Sequence, residues 1–104
     1  MKRIELLQKI ESLPKFGYSE RFTALVYIHY LSGCCVSDLL KIKGSDFTQS
    51  YYVSIKQGKS SDPLSLYIDK YHNIIDVWRR NNELISGTYT ASSLYKIYKK
   101  IGLS

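Results

Sequence analysis

Residues 31–47, LSGCCVSDLLKIKGSDF, carry the change from helix to strand on which the fold turns. Gly33 is placed to stop the helix that Leu31 and Ser32 complete, because glycine takes the left-handed conformation without steric cost. A short helix is expected over about 37–42, with Ser37 as its cap. Gly44-Ser45-Asp46 reads as a turn, and Phe47-Thr48 as a short first strand. Upstream, a helix over 19–32 starts at Ser19, a good N-cap, with Glu20 and Arg21 in its first turn. Phe22, Leu25, Val26, His29 and Tyr30 share one face, and Ala24, Tyr27, Ile28 and Leu31 cover the rest. A helix apolar nearly all round belongs in a core.

Further out, residues 2–13 place Ile4, Leu7, Ile10 and Leu13 at helical spacing, widened by Leu6, until Pro14 and Gly17 end the helix. Downstream, 51–57 (YYVSIKQ) is β-branched and aromatic and reads as a strand. Residues 58–63 form a hairpin loop, and 64–68 (LSLYI) return as a second strand. A helix over 69–83, capped by Asp69, carries Tyr71, Ile74, Ile75 and Trp78 as its apolar stripe. Asn81-Asn82 and Gly87 loosen the chain after it. Thr90 caps a last helix, 91–101, with Leu94, Ile97, Tyr98 and Ile101 on one face; Lys96, Lys99 and Lys100 make it basic and it holds no acid. The class is α+β, mostly helical: five helices with one antiparallel β-hairpin or three-stranded sheet, in a single domain over 1–104. The expected core includes Leu7, Phe22, Leu25, Val26, Leu39, Leu40, Val53, Ile55, Leu66, Ile74, Trp78 and Leu94.

Fifteen Lys and Arg stand against nine Asp and Glu, a formal charge of +6 that suits a polyanionic partner such as nucleic acid. With 44% hydrophobic and 23% charged residues the chain is globular rather than disordered. No apolar run approaches the ~18 residues of a membrane span, and Lys2 and Arg3 are followed by alternating Glu and Lys rather than a signal-peptide core. The two cysteines, Cys34 and Cys35, are adjacent and cannot staple a small secreted fold, which points to a reducing, cytoplasmic setting.

The 31–47 segment resembles a stretch of the tyrosine recombinase (phage integrase) catalytic domain close to T-G-L-R-[IV]-S-E-L-L-x-L-x-W-x-D-[IV]. Ser32, Gly33, Val36, Ser37, Asp38, Leu39, Leu40, Ile42, Asp46 and Phe47 fall on matching or similar positions. The order of elements agrees: an apolar helix before, and a hairpin after. Residues 59–66, KSSDPLSL, look like that family's K-T-G-K-x-x-x-[IV] hairpin, and a capped helix follows near the C-terminus. The resemblance runs from about Ile4 to Gly102. It implies the N-terminal half of a tyrosine-recombinase-like catalytic domain.

The same resemblance implies lost catalysis. The family's first catalytic arginine, which grips the scissile phosphate in a fork and stabilises its developing charge, falls on Cys35. A thiol carries no positive charge. The resemblance puts the family's H-x-x-R motif and its nucleophilic tyrosine beyond Ser104, and its DNA-clamping domain ahead of this segment, so neither is expected in these residues. Lys59 falls on the family's hairpin lysine. With Lys56, Lys96, Lys99 and Lys100 it forms the expected nucleic-acid-binding set. The ten tyrosines offer no nucleophile, since none has two arginines nearby in sequence. The one arginine pair, Arg79-Arg80, reads as a solvated helix face.

Other motifs fall away. Gly58-Lys59-Ser60 has the tail of a phosphate-binding loop, but the glycine needed five positions earlier is Val53. Cys34-Cys35 with His29 reads as buried thiols beside a core histidine rather than a metal site. His72 lies on the polar side of its helix. Acidic residues are single, so no carboxylate pair marks a hydrolase. No cofactor is expected. The expected function is non-catalytic DNA binding by a protein derived from a phage or mobile-element integrase. The alternative is a protein-interaction module, self-associating or binding a recombinase through the stripe of 91–101. A third reading makes the chain a piece of a longer enzyme.

Overall fold

Helix α2, Glu20–Ser32, carries more buried residues than any other helix of the fold. Ser19 sits in an extended conformation and its hydroxyl accepts the Phe22 N–H at 3.0 Å, which satisfies a first-turn donor. Gly33, at φ 68°, closes the other end with its N–H on the His29 carbonyl. Every residue from Phe22 to Ile28 is buried, as an all-round apolar helix requires. The computed structural model describes residues 3–48, 51–56 and 63–103. Among these, the remaining α-helices are α1 (Arg3–Glu11), α3 (Val36–Leu39), α4 (His72–Asn81) and α5 (Ala91–Ile101). Single 3-10 turns occupy Leu13–Phe16 and Gly44–Asp46. No helix among the described residues is long and apolar enough to cross a membrane.

Three strands, β1 (Phe47–Thr48), β2 (Tyr52–Ile55) and β3 (Leu64–Tyr67), form one antiparallel sheet in the order β1-β2-β3. Val53 pairs with both Phe47 and Leu66, and Ile55 with Leu64. Side chains alternate along a strand, so these residues turn one face to the core while Tyr52, Ser54, Ser65 and Tyr67 line the other. The α+β class, the five helices and the three-stranded antiparallel sheet agree with the sequence reading.

Several boundaries differ from it. The helix expected over 2–13 ends at Glu11, and a 3-10 turn follows: Pro14 sits in its first turn, where a missing N–H costs nothing, and Leu13 is buried. The short helix is Val36–Leu39, capped by Cys35 and not by Ser37, because Val36 must enter the core and the Cys35 carbonyl takes the Asp38 and Leu39 N–H groups. It cannot run on to residue 42. Ile42 and Gly44 are instead hydrogen-bonded to Ile85 and Glu83, across a bridge between Lys43 and Leu84. Asp69 does not cap α4. Its carboxylate accepts the Tyr27 hydroxyl at 2.8 Å, and the helix starts three residues later, behind Tyr71 in the left-handed conformation. The strand expected over 51–57 spans 52–55, and Gln57 lies outside the described residues.

Eight of the twelve expected core residues are buried; Leu7, Leu40, Leu66 and Ile74 are half-buried against that core. Trp78 is fully enclosed, its ring stacked on Phe47 at 5.7 Å and covered by the Arg21 guanidinium. Burial of a side chain of this kind contributes roughly 2 kcal/mol. Ile68, Ile75 and Ile85 are likewise fully buried.

Candidate nucleic-acid interface

Lys41 and Lys43 flank Ile42, which is buried, so both ammonium groups must lie at the surface on either side of it. This segment is pinned by tertiary contacts. A Cβ at Gly44 would lie 1.8 Å from the Trp78 carbonyl oxygen, so only glycine lets the 44–46 turn rest on α4. Asn82, which ends α4 at φ 47°, offers its Oδ1 to the Ser45 N–H at 2.8 Å. Asp46 accepts the Lys43 N–H at 3.0 Å. The result is a cleft of about 340 Å³ between α3 and β2, lined by Asp38, Lys41, Lys43, Asp46, Ser54 and Lys56 over a floor of Ile42. The three lysines are exposed and join no ion pair among the described residues.

Cys35 is joined to this cleft through Asp38. It is exposed, and its thiol donates to Asp38 Oδ2 at 3.0 Å, with the Ser37 hydroxyl also at 3.0 Å. Asp38 itself lines the lysine cleft. On its other side Cys35 borders a second pocket, with His29, Tyr30, Cys34, Tyr95 and Tyr98. His29 Nδ1 lies 3.0 Å from the Tyr98 hydroxyl. Burial holds the imidazole below its ordinary value of 6.5, so it is neutral at neutral pH. Burial also pushes the Tyr98 phenol and the Cys34 thiol up, and both stay protonated. The second pocket therefore contributes hydroxyls, a neutral ring and thiols, and of these two pockets only the first is lined by lysines.

Of the lysines expected from sequence, Lys56 lies in the cleft. Lys59 falls within 57–62, outside the described residues. Lys96, Lys99 and Lys100 are exposed on α5, and none of them lines the cleft with Lys56. Lys100 instead borders a groove of about 400 Å³ with Lys9, Leu13, Phe16, Tyr18 and Ile101. Lys41 and Lys43 were not among the expected residues. Their signal is the alternation Lys-Ile-Lys, in which one buried isoleucine sends two charges to the surface.

Three further expectations differ from the structure. The α5 stripe is not left open: Leu94 and Tyr98 are buried, and Ile97 and Ile101 are packed against the core. The Tyr30 hydroxyl reaches the Leu103 carbonyl beside it at 2.7 Å. A helix already seated on its own chain does not require a partner to cover that stripe. Of the two cysteines only Cys34 is buried. His72 is not simply on a polar face either: its ring stacks on Tyr51 at 4.3 Å and 6°. No family model, curated protein or solved structure matches the chain.

Proposed function

We propose that the chain is a non-catalytic DNA-binding domain that holds phosphates at the Lys41–Lys43–Lys56 cleft. The observation that carries this reading is the convergence of Lys41 and Lys43 with Lys56, from a separate segment of the chain, on one cleft. Lysines act on phosphate as point charges, and the carboxylates beside them are engaged locally, Asp46 by a backbone N–H and Asp38 by a thiol. The net charge of +6 supports attraction to a polyanion. In the same reading the domain is a relative of the tyrosine recombinase catalytic domain in which position 35 has lost its cation. The order of helix, short helix, three antiparallel strands and two helices supports that ancestry, as does the hydrogen bond from Cys35 to Asp38, which lines the cleft that β2 enters.

The test is binding to a short duplex as salt is raised. Three phosphate contacts give log K a slope of about −2.7 against log salt. A flat response, or no binding at low salt, overturns the reading and favours a protein partner at the groove of Leu13, Phe16 and Ile101, where Phe16 is largely exposed. A phosphotyrosyl adduct on a nicked duplex overturns its non-catalytic half.

A further inference from the structure

The outer face of the sheet carries an aromatic pair that the core does not use. Tyr52 and Tyr67 are directly opposite on β2 and β3, with ring centroids 5.1 Å apart. They remain 41% and 46% exposed, although a side chain of this size could have been turned inward by a one-residue change of register. The surrounding face is hydroxylic rather than aliphatic. Thr48 pairs with Tyr52, and Ser54 pairs with Ser65. Two residues beyond Ser54 is Lys56, and both Ser54 and Lys56 also line the lysine cleft. At about 3.4 Å per residue, Tyr52 stands about 14 Å along the strand from Lys56. One continuous surface thus runs from paired aromatic rings, past hydroxyls, to three ammonium groups.

We infer that this face is a stacking platform for unpaired bases, so that the domain takes single-stranded nucleic acid with its bases on Tyr52 and Tyr67 and its phosphates in the Lys41–Lys43–Lys56 cleft. Bases in a duplex hide their faces in the stack, whereas a single strand offers them to any exposed ring. The combination of a cationic groove with adjacent aromatics is what sequence-tolerant single-strand binding requires. An apolar peptide would meet serines, a threonine and a lysine around the two rings, which gives it little to bury. The inference rests on the cleft being a phosphate site, and adds to that reading what lies beside the phosphates.

The experiment uses fluorescence anisotropy with three probes of matched length: a mixed-sequence single strand, the same strand with abasic sites throughout, and a duplex. The abasic strand keeps the phosphates and removes the bases. The expected result is tighter binding of the intact strand than of the abasic strand, by about tenfold or more. Tyr52→Thr/Tyr67→Thr, which keeps strand-favouring residues, should erase that difference and leave abasic binding unchanged. Tyr52→Phe/Tyr67→Phe should retain it, since stacking needs the ring and not the hydroxyl. Equal binding of intact and abasic strands by the unaltered chain overturns the stacking inference while the cleft reading stands, and this comparison needs no variant to fold. Retention of the difference in the double threonine variant also overturns it. Failure to bind any of the three probes at low salt removes both readings.

Discussion

The two lysine groups of this domain are built in opposite ways. Lys96, Lys99 and Lys100 sit within one turn and a half of α5, a helix whose ends are set by its own neighbours: Thr90 and Ser93 form a reciprocal cap, and Gly102 ends it in the left-handed conformation. Lys41, Lys43 and Lys56 come from two segments brought together by the seating of the 44–46 turn on α4. Nearness in sequence made the first group conspicuous, yet a lysine run along an exposed helix spreads its charge over solvent. The second group surrounds a concavity, where a phosphate meets several ammonium groups at once.

Gly44→Ala breaks this contrast most severely. Its Cβ would meet the rigid backbone of α4 rather than a side chain that can yield, and the variant should lose about 3 kcal/mol in urea unfolding. A change near zero would mean that the cleft is not held in the way described. Next in size, replacing Lys41, Lys43 and Lys56 together by alanine should weaken duplex binding about tenfold or more at low salt and flatten the salt slope by about 2.7. Thr90→Ala should cost about 1 kcal/mol of stability through the lost cap, with duplex affinity preserved after correction for the folded fraction. Lys96→Ala/Lys99→Ala/Lys100→Ala should change affinity by no more than about twofold, because isolated surface charges are heavily screened. Should this triple variant lose as much as the cleft variant, overall charge rather than the cleft governs binding.

The smallest effect concerns pH and the attachment of α5 to α2. Burial depresses the His29 imidazole below 6.5, so the unfolded chain takes up that proton before the folded one does. Stability is then insensitive to this group above 6.5, and falls as pH drops below 6.5 toward the lowered folded value. Chemical denaturation across that window should show the decline, and His29→Gln should lessen it.

Local chemistry explains what was legible in the sequence. Ser19, Gly33 and Thr90 act on residues within four positions of themselves, so the spans of α2 and α5 could be read directly. The strands followed from alternation and residue type. The misreadings occur where a residue serves a distant part of the chain. Asp69 has the right chemistry for a helix cap but is drawn to Tyr27, 42 positions away. Gly44 looks like any turn glycine until Trp78 is beneath it. Ile42 extends an apolar helical pattern, yet its backbone bonds to Ile85. For the same reason the site was legible only in part. Lys56 was named, but its companions Lys41 and Lys43 depend on that tertiary seating.

Helix α2 has a kinetic consequence as well. From a single turn of it, Tyr27, His29 and Tyr30 bond to groups 42, 69 and 73 positions further along the chain. Each of these contacts closes a large loop, whose entropy must be lost before the contact returns any stabilisation. A domain with this many helices would otherwise belong among the fast folders; these long closures place it nearer the slower mixed α/β class. They also leave it without a separable half. Release of α5 removes partners from the C-terminal half of α2, so the slowest-exchanging amides of both helices should open together, as one cooperative unit.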